Sequence, residues 1–223
     1  MMITVYQLEH SPFCISVTAI LRALGTPFET VNVTNSDRRE IIELTGGDYY
    51  QVPVLVDEAA GGCRVYESSA ESQDVARYLD THYANGRLFP ARYEGLQSLI
   101  LSHLENEVEG VTFKIGDPSY LDRIADVQER TMIIRHKERR FGRGCIEQWR
   151  RDRDALMATA TRLLTPYEQM LEAHPFLLGD APVYSDFLLF GILGNMTWNE
   201  NSQVPASFPA LAEWQRRTSA FRF

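Results

Sequence analysis

At 223 residues, with 44% hydrophobic and 23% charged side chains, the chain has the length and composition of a folded globular protein of one large or two small domains, not of a disordered segment. A formal net charge of −8 argues against nucleic acid as a partner, and the one basic cluster, Arg135–Arg143, is interrupted by Glu138 and reads as a solvated helix face. Three scattered cysteines (Cys14, Cys63, Cys145) exclude a disulfide framework and point to a reducing, cytoplasmic setting; no apolar run approaches about 18 residues, so no membrane span is expected.

The N-terminal MMITVYQLEH enters a strand pattern directly over residues 3–8, with neither a basic nor an apolar leader ahead of it. His10-Ser11-Pro12 is turn-like. From Cys14 to Gly25 apolar side chains recur at helical spacing, with Gly25 as the stop signal, and residues 28–33 form a second strand. A short helix over 38–45, a strand over 52–57, a turn at Gly61-Gly62 and a strand over 63–66 follow. Ser68 with Glu71 three residues later has the spacing of a capping box and predicts a helix starting at Ser68. The order βαβ, α, ββ, α makes residues 1–83 one α/β domain, and Asn85-Gly86 and Pro90 mark 84–91 as a linker. Residues 92–223 carry helical periodicity over 92–113, 118–140, 145–173, 184–198 and 208–218, with Pro118, Pro175, Pro182 and Pro209 near helix ends; this half is an all-helical domain.

Several residues draw attention on chemical grounds. Pro53 opens a hairpin strand, where it removes a ladder donor. A cis bond there would leave the backbone of Val52 free to pair with an extended peptide; an ordinary edge-strand proline is the alternative. Cys14, close to a helix N-terminus, is either a reactive thiol or a small packing residue. Tyr6 within the first strand reads as a core or interface side chain, His10 as an exposed turn residue, and no metal-ligand spacing occurs.

With this order of elements, Ser11-Pro12-Phe13-Cys14, Val52-Pro53 and Glu67-Ser68 together resemble the cytosolic glutathione transferases of the serine type. Ser11 stands where thioredoxin-like folds carry the first cysteine of Cys-x-x-Cys, Val52-Pro53 matches the cis-proline site, and Glu67-Ser68 the Glu-Ser pair of that family. Gly179-Asp180-Ala181-Pro182-Val183-Tyr184-Ser185-Asp186 is similar to the family's helix-capping signature, except that Val183 replaces the capping Ser or Thr. Arg140-Phe141-Gly142, the stretch 175–179 and the stretch 179–191 further resemble fungal and bacterial transferases related to lignin β-aryl etherases.

The resemblance implies a thioredoxin-like N-terminal domain that holds glutathione as co-substrate and a helical-bundle C-terminal domain that holds a small hydrophobic or aromatic electrophile. Ser11 is then the group that stabilises the glutathione thiolate. Gln51, Val52 and Pro53 would meet the peptide, and Glu67 and Ser68 its γ-glutamyl end. A homodimer with a detoxifying role, needing no metal, is expected on the same ground. Tyr120, Phe113 and Phe221-Arg222-Phe223 are candidates for apolar surface in the second-substrate pocket. Two alternatives stay open: a thiol-disulfide oxidoreductase using Cys14, and a glutathione-binding protein without turnover.

Overall fold

The alternation in ITVYQ forms β1 (Ile3–Gln7), with Ile3 and Val5 buried in the core of a computed structural model that describes residues 2–69, 73–198 and 204–223. α1 (Pro12–Ala23) starts two residues earlier than its apolar pattern, because Pro12 fits the first helical position, where a missing N–H costs nothing. It ends at Gly25, whose φ of 64° is the left-handed conformation that closes helices. β2 (Phe28–Asn32) returns parallel to β1, α2 (Arg39–Leu44) follows, and β3 (Val54–Asp57) and β4 (Cys63–Val65) form an antiparallel hairpin. The sheet order is β2-β1-β3-β4, with β3 antiparallel to β1, which is the thioredoxin-like arrangement.

The next helix departs from expectation. α3 (Asp74–Leu79) begins well beyond Ser68 and takes Gln73 as its N-cap residue; Glu71 lies outside the described residues. The Glu67 carboxylate caps it instead, accepting from the backbone N–H of Asp74 at 2.7 Å and of Val75 at 3.3 Å, while Asp74 accepts from the N–H of Ser68 at 2.7 Å. Asp57 ties α3 and the turn after it to the sheet, accepting from Tyr78 at 2.8 Å and Tyr83 at 2.5 Å.

The second half is helical throughout the described residues after a short 3-10 turn at Ala91–Tyr93. α4 (Glu94–His103) passes through a wider π-type turn, Leu104–Val108, into α5 (Glu109–Arg123). Pro118 therefore lies inside a helix, not at an end. An internal proline costs about 3 kcal/mol; here Pro118 is buried and its carbonyl accepts from Arg150 at 3.0 Å, so packing overrides the local penalty. α6 (Val127–Phe141), α7 (Cys145–Arg151) and α8 (Arg153–Ala173) follow, the single helix expected over 145–173 being interrupted at Asp152. α9 (Tyr184–Met196) and α10 (Pro209–Ala220) complete the bundle. Among the described residues no helix is long and apolar enough to cross a membrane.

α9 is buried almost all round and packs on α1, joining the two halves. Val183 at its N-cap has no side-chain acceptor, and Asp186 alone does the capping. Its fully buried carboxylate accepts from the backbone N–H of Val183 at 3.1 Å and Leu177 at 2.9 Å, and from the Trp214 indole at 2.9 Å. α9 and α1 approach closely at Gly191, where an added Cβ would come within 2.0 Å of the Pro12 carbonyl oxygen.

Candidate active site

The sheet topology gathers the candidate residues at one end. β1 finishes there, so the turn carrying Ser11 sits at that end; β3, antiparallel, starts there just after Val52-Pro53; β4 finishes there and runs into Glu67-Ser68. β2, parallel to β1, delivers the loop that leads to Arg38 at the same end. Segments far apart in sequence thus meet because strand direction alternates, as ligand sites at strand ends do.

Ser11 occupies the N-cap position of α1 with an extended backbone (φ −66°, ψ 128°), yet its hydroxyl makes no capping bond to the helix. The hydroxyl is left at the positive end of the helix, where a negative charge is favoured. Its hydrogen-bonding neighbour is the thiol of Cys14, one turn on. Cys14 is fully buried, and burial pushes its thiol up to about 11 against the opposing influence of Ser11, a backbone group of Leu8 and the charge of Arg38. A thiol in that state carries little thiolate at neutral pH.

Val52-Pro53 is a cis peptide bond, and the register between β1 and β3 stops at Val54, which leaves Val52 outside the ladder. Pro53 is buried and Gln51 exposed beside it. Tyr49 stacks on Tyr66 with ring centroids 5.2 Å apart, and its hydroxyl is raised by burial and by the carboxylate of Glu67, with Arg38 opposing. Ser68 is exposed next to Glu67. Tyr6 has Glu40, Glu29 and Arg64 as its charged neighbours, so it belongs to the sheet face and not to the serine turn.

Arg38 escaped the sequence reading. It is half-buried, and its Nη1 is buried with no hydrogen-bond partner among the described residues. Desolvation lowers its pKa, partly offset by the thiol of Cys14 and the carboxylate of Glu129. A lone arginine in a charged sequence, Asp37-Arg38-Arg39-Glu40, carries no local signal that separates it from its solvated neighbour Arg39.

The helical half closes the other side. His10 is not an exposed turn residue: its ring stacks on Tyr120 of α5 with centroids 3.6 Å apart and an interplanar angle of 22°. Burial, with the charges of Lys137 and Arg38, lowers its pKa to about 4, so the imidazole is neutral at physiological pH. Nearby, Lys137 pairs with the buried Asp117 at 2.6 Å and lies 4.4 Å over the Phe113 ring. Phe113 packs with Phe141 and Trp149, away from solvent. Glu129 of α6 accepts from the N–H of Asn35 at 2.5 Å and Ser36 at 3.0 Å, clasping the loop before Arg38. The Phe221–Phe223 segment does not line this cleft. Phe223 donates to the carbonyl of Ala23 at the far end of α1, and both rings pack on Phe176 and Phe187.

The chain matches two protein families, described as glutathione S-transferase N-terminal domain over residues 5–87 and glutathione S-transferase C-terminal domain over residues 144–221. No curated protein matches it in sequence. Its fold is similar to the crystal structure of glutathione transferase GSTFuA3 from Phanerochaete chrysosporium, with a TM-score of 0.82 at 17% identity over 100% of this chain and 98% of that one. A glutathione S-transferase of Ceriporiopsis subvermispora in complex with glutathione gives a TM-score of 0.76 at 19% identity, over 98% and 96% of the two chains. Glutaredoxin 2 from Salmonella typhimurium in complex with glutathione gives 0.74 at 19%, over 97% and 93%.

Proposed function

Since this chain belongs to the glutathione transferase superfamily, we propose that it binds glutathione along the shared end of β1, β3 and β4 and uses Ser11 to hold the glutathione thiolate for attack on a small electrophile. The observation that carries the reading is the Ser11 hydroxyl, set at the positive end of α1 and not consumed in capping it. A free thiol has a pKa of about 8.5, so only a few per cent is thiolate at neutral pH. A hydroxyl bonded to an anion contributes roughly 1.5–3 kcal/mol, and a pKa unit corresponds to about 1.36 kcal/mol. Ser11 therefore accounts for a depression of about one to two units.

In this reading the thiol proton leaves to solvent when glutathione binds, and Ser11 donates to the sulfur anion. The sulfur forms a bond to the electrophilic carbon as the leaving group departs with its electron pair. The backbone of Val52 beside Pro53 pairs with the cysteinyl segment, with Gln51 at the rim. Glu67 and Ser68 face the γ-glutamyl end of glutathione, the ligand held by a solved transferase of similar fold. The electrophile lies against the His10-Tyr120 slab, whose aromatic faces favour a small apolar or aromatic molecule.

The test is an ultraviolet titration of the bound glutathione thiolate in the wild type and in Ser11→Ala and Cys14→Ala. The bound thiol is expected to titrate at least a unit below free glutathione, with Ser11→Ala abolishing the shift and Cys14→Ala leaving it intact. A shift that vanishes with Cys14→Ala alone would instead establish the thiol-disulfide chemistry that the burial of Cys14 opposes. Glutathione binding with no shift in any protein would mark a binding protein without turnover.

Arg38 supplies a second expectation. Glutathione carries more negative than positive groups, and the unpartnered Nη1 of Arg38 offers a buried donor with a positive charge. Arg38→Ala is expected to weaken glutathione binding by about tenfold or more, the worth of one charge-assisted bond, with the thiol titration of the bound fraction preserved. Calorimetric titration with glutathione measures it; unchanged affinity would remove Arg38 from the site.

A further inference from the structure

We propose that Asn195 is a positioning residue for Ser11: from α9 in the helical half it fixes the His10 carbonyl, and with it the turn that presents the serine hydroxyl. The inference rests on the Ser11 reading and adds a residue 185 positions away that the chemistry depends on.

The Ser11 side chain makes no capping bond to the backbone of its helix; apart from its contact with the Cys14 thiol, where its hydroxyl stands is set by the backbone of the turn. Within the turn one bond is made, from the Ser11 N–H to the Leu8 carbonyl at 3.0 Å. The residues flanking Ser11, His10 and Pro12, are also braced from the helical half. Asn195 Nδ2 donates to the His10 carbonyl at 2.6 Å. Tyr120 stacks on the His10 ring, and the backbone of α9 at Gly191 lies directly under the Pro12 carbonyl. The residue before the serine is thus seated on α5 and α9, and the residue after it on α9.

Asn195 is 6% exposed in the last turn of a helix whose other buried residues are nearly all apolar. An amide there costs helix propensity and desolvation, and both are offset only by a specific partner. That partner is a backbone carbonyl adjacent to the reacting group. Displacements of about 1 Å at a reacting group can cost on the order of a hundredfold in rate, so a brace at this point governs the chemistry more than the affinity.

The experiment follows the thiolate absorbance of bound glutathione against pH in the full-length wild type, Asn195→Ala, Asn195→Leu and Ser11→Ala, alongside glutathione affinity by calorimetry. Asn195→Leu keeps the side-chain volume and loses the donor without adding a charge. Both Asn195 variants are expected to raise the titration midpoint by about one unit, which is a tenfold loss of thiolate at neutral pH, with glutathione affinity held within about threefold. A purely structural role would lower the melting temperature and leave the midpoint of the bound thiol in place; that result overturns the proposal. If Asn195→Ala does not fold, Asn195→Leu decides by the same readout. If Ser11→Ala titrates like the wild type, the Ser11 reading itself fails and this inference falls with it. Wild-type midpoints in the Asn195 variants with a shifted Ser11→Ala refute only the role of Asn195.

Discussion

Asp186→Ala is expected to lower the stability of the protein by about 3–5 kcal/mol, a large fraction of the roughly 5–15 kcal/mol that holds an ordinary domain folded. The carboxylate accepts from three buried donors, the N–H groups of Val183 and Leu177 and the Trp214 indole, and joins the start of α9 to the segment before it and to α10. Each orphaned buried donor costs about 1–3 kcal/mol. Part of that loss is recovered because the carboxylate is itself unfavourable in this interior: burial raises its pKa to about 6, against the three donors. The sign of the pH dependence follows. The folded pKa lies above the unfolded value of about 3.9, so the proton is bound more tightly in the folded state. The associated stabilisation is complete below about pH 4 and is lost as pH rises through about 6. Urea denaturation at pH 4.5 and 7.5 measures both effects. The stability of Asp186→Ala falls below the wild type at either pH, and the gap narrows at the higher pH; a gap under 1 kcal/mol at both would show that the three donors find other partners.

Gly191→Ala is expected to act at the junction of the two halves. Its Cβ would approach the Pro12 carbonyl oxygen to 2.0 Å and the Ser16 nitrogen to 3.1 Å, both backbone atoms that cannot rotate away. Overpacking a core by a methyl group typically costs about 1–3 kcal/mol, and more when backbone must separate from backbone. α9 and α1 are forced apart at the residue after Ser11, so thermal stability and thiolate formation should fall together. Gly194→Ala is the internal control. Its Cβ meets Ile15 Cγ2 at 3.2 Å and Cδ1 at 3.3 Å, the movable end of a side chain, and the substitution should be tolerated. Thermal melts of both variants, read beside the titration of bound glutathione, test the contrast; equal melting temperatures for the two would contradict it.

The parts of the fold written in short stretches of sequence were legible. The β1 pattern, Pro12 at a first helical position, Gly25 at a helix end and Pro53 before a hairpin strand are local signals with local causes. The placement of Ser11 followed from them. The capping-box spacing at Ser68 was equally local and misled, because Glu67 reaches the amides of Asp74 and Val75 and a longer loop intervenes. Pro118 misled for the opposite reason: burial and a bond from Arg150 to its carbonyl carry the helix through a residue that would end it in isolation. Of the groups from outside the serine turn, Tyr120 was named from the sequence, whereas three others were not. Arg38, Glu129 and Asn195 acquire their meaning from contacts made only once both halves are assembled, and a separation of 94 or 185 residues leaves no periodicity to read.

The clasp between α6 and the loop before Arg38 has an evolutionary corollary. On one side it is a single carboxylate, Glu129; on the other it is two main-chain amides, those of Asn35 and Ser36. Main-chain amides are supplied by every residue except proline, so the loop can drift through almost any sequence while the contact persists. The arm of the helical half can therefore keep its grip on the other half in descendants whose loops no longer resemble one another.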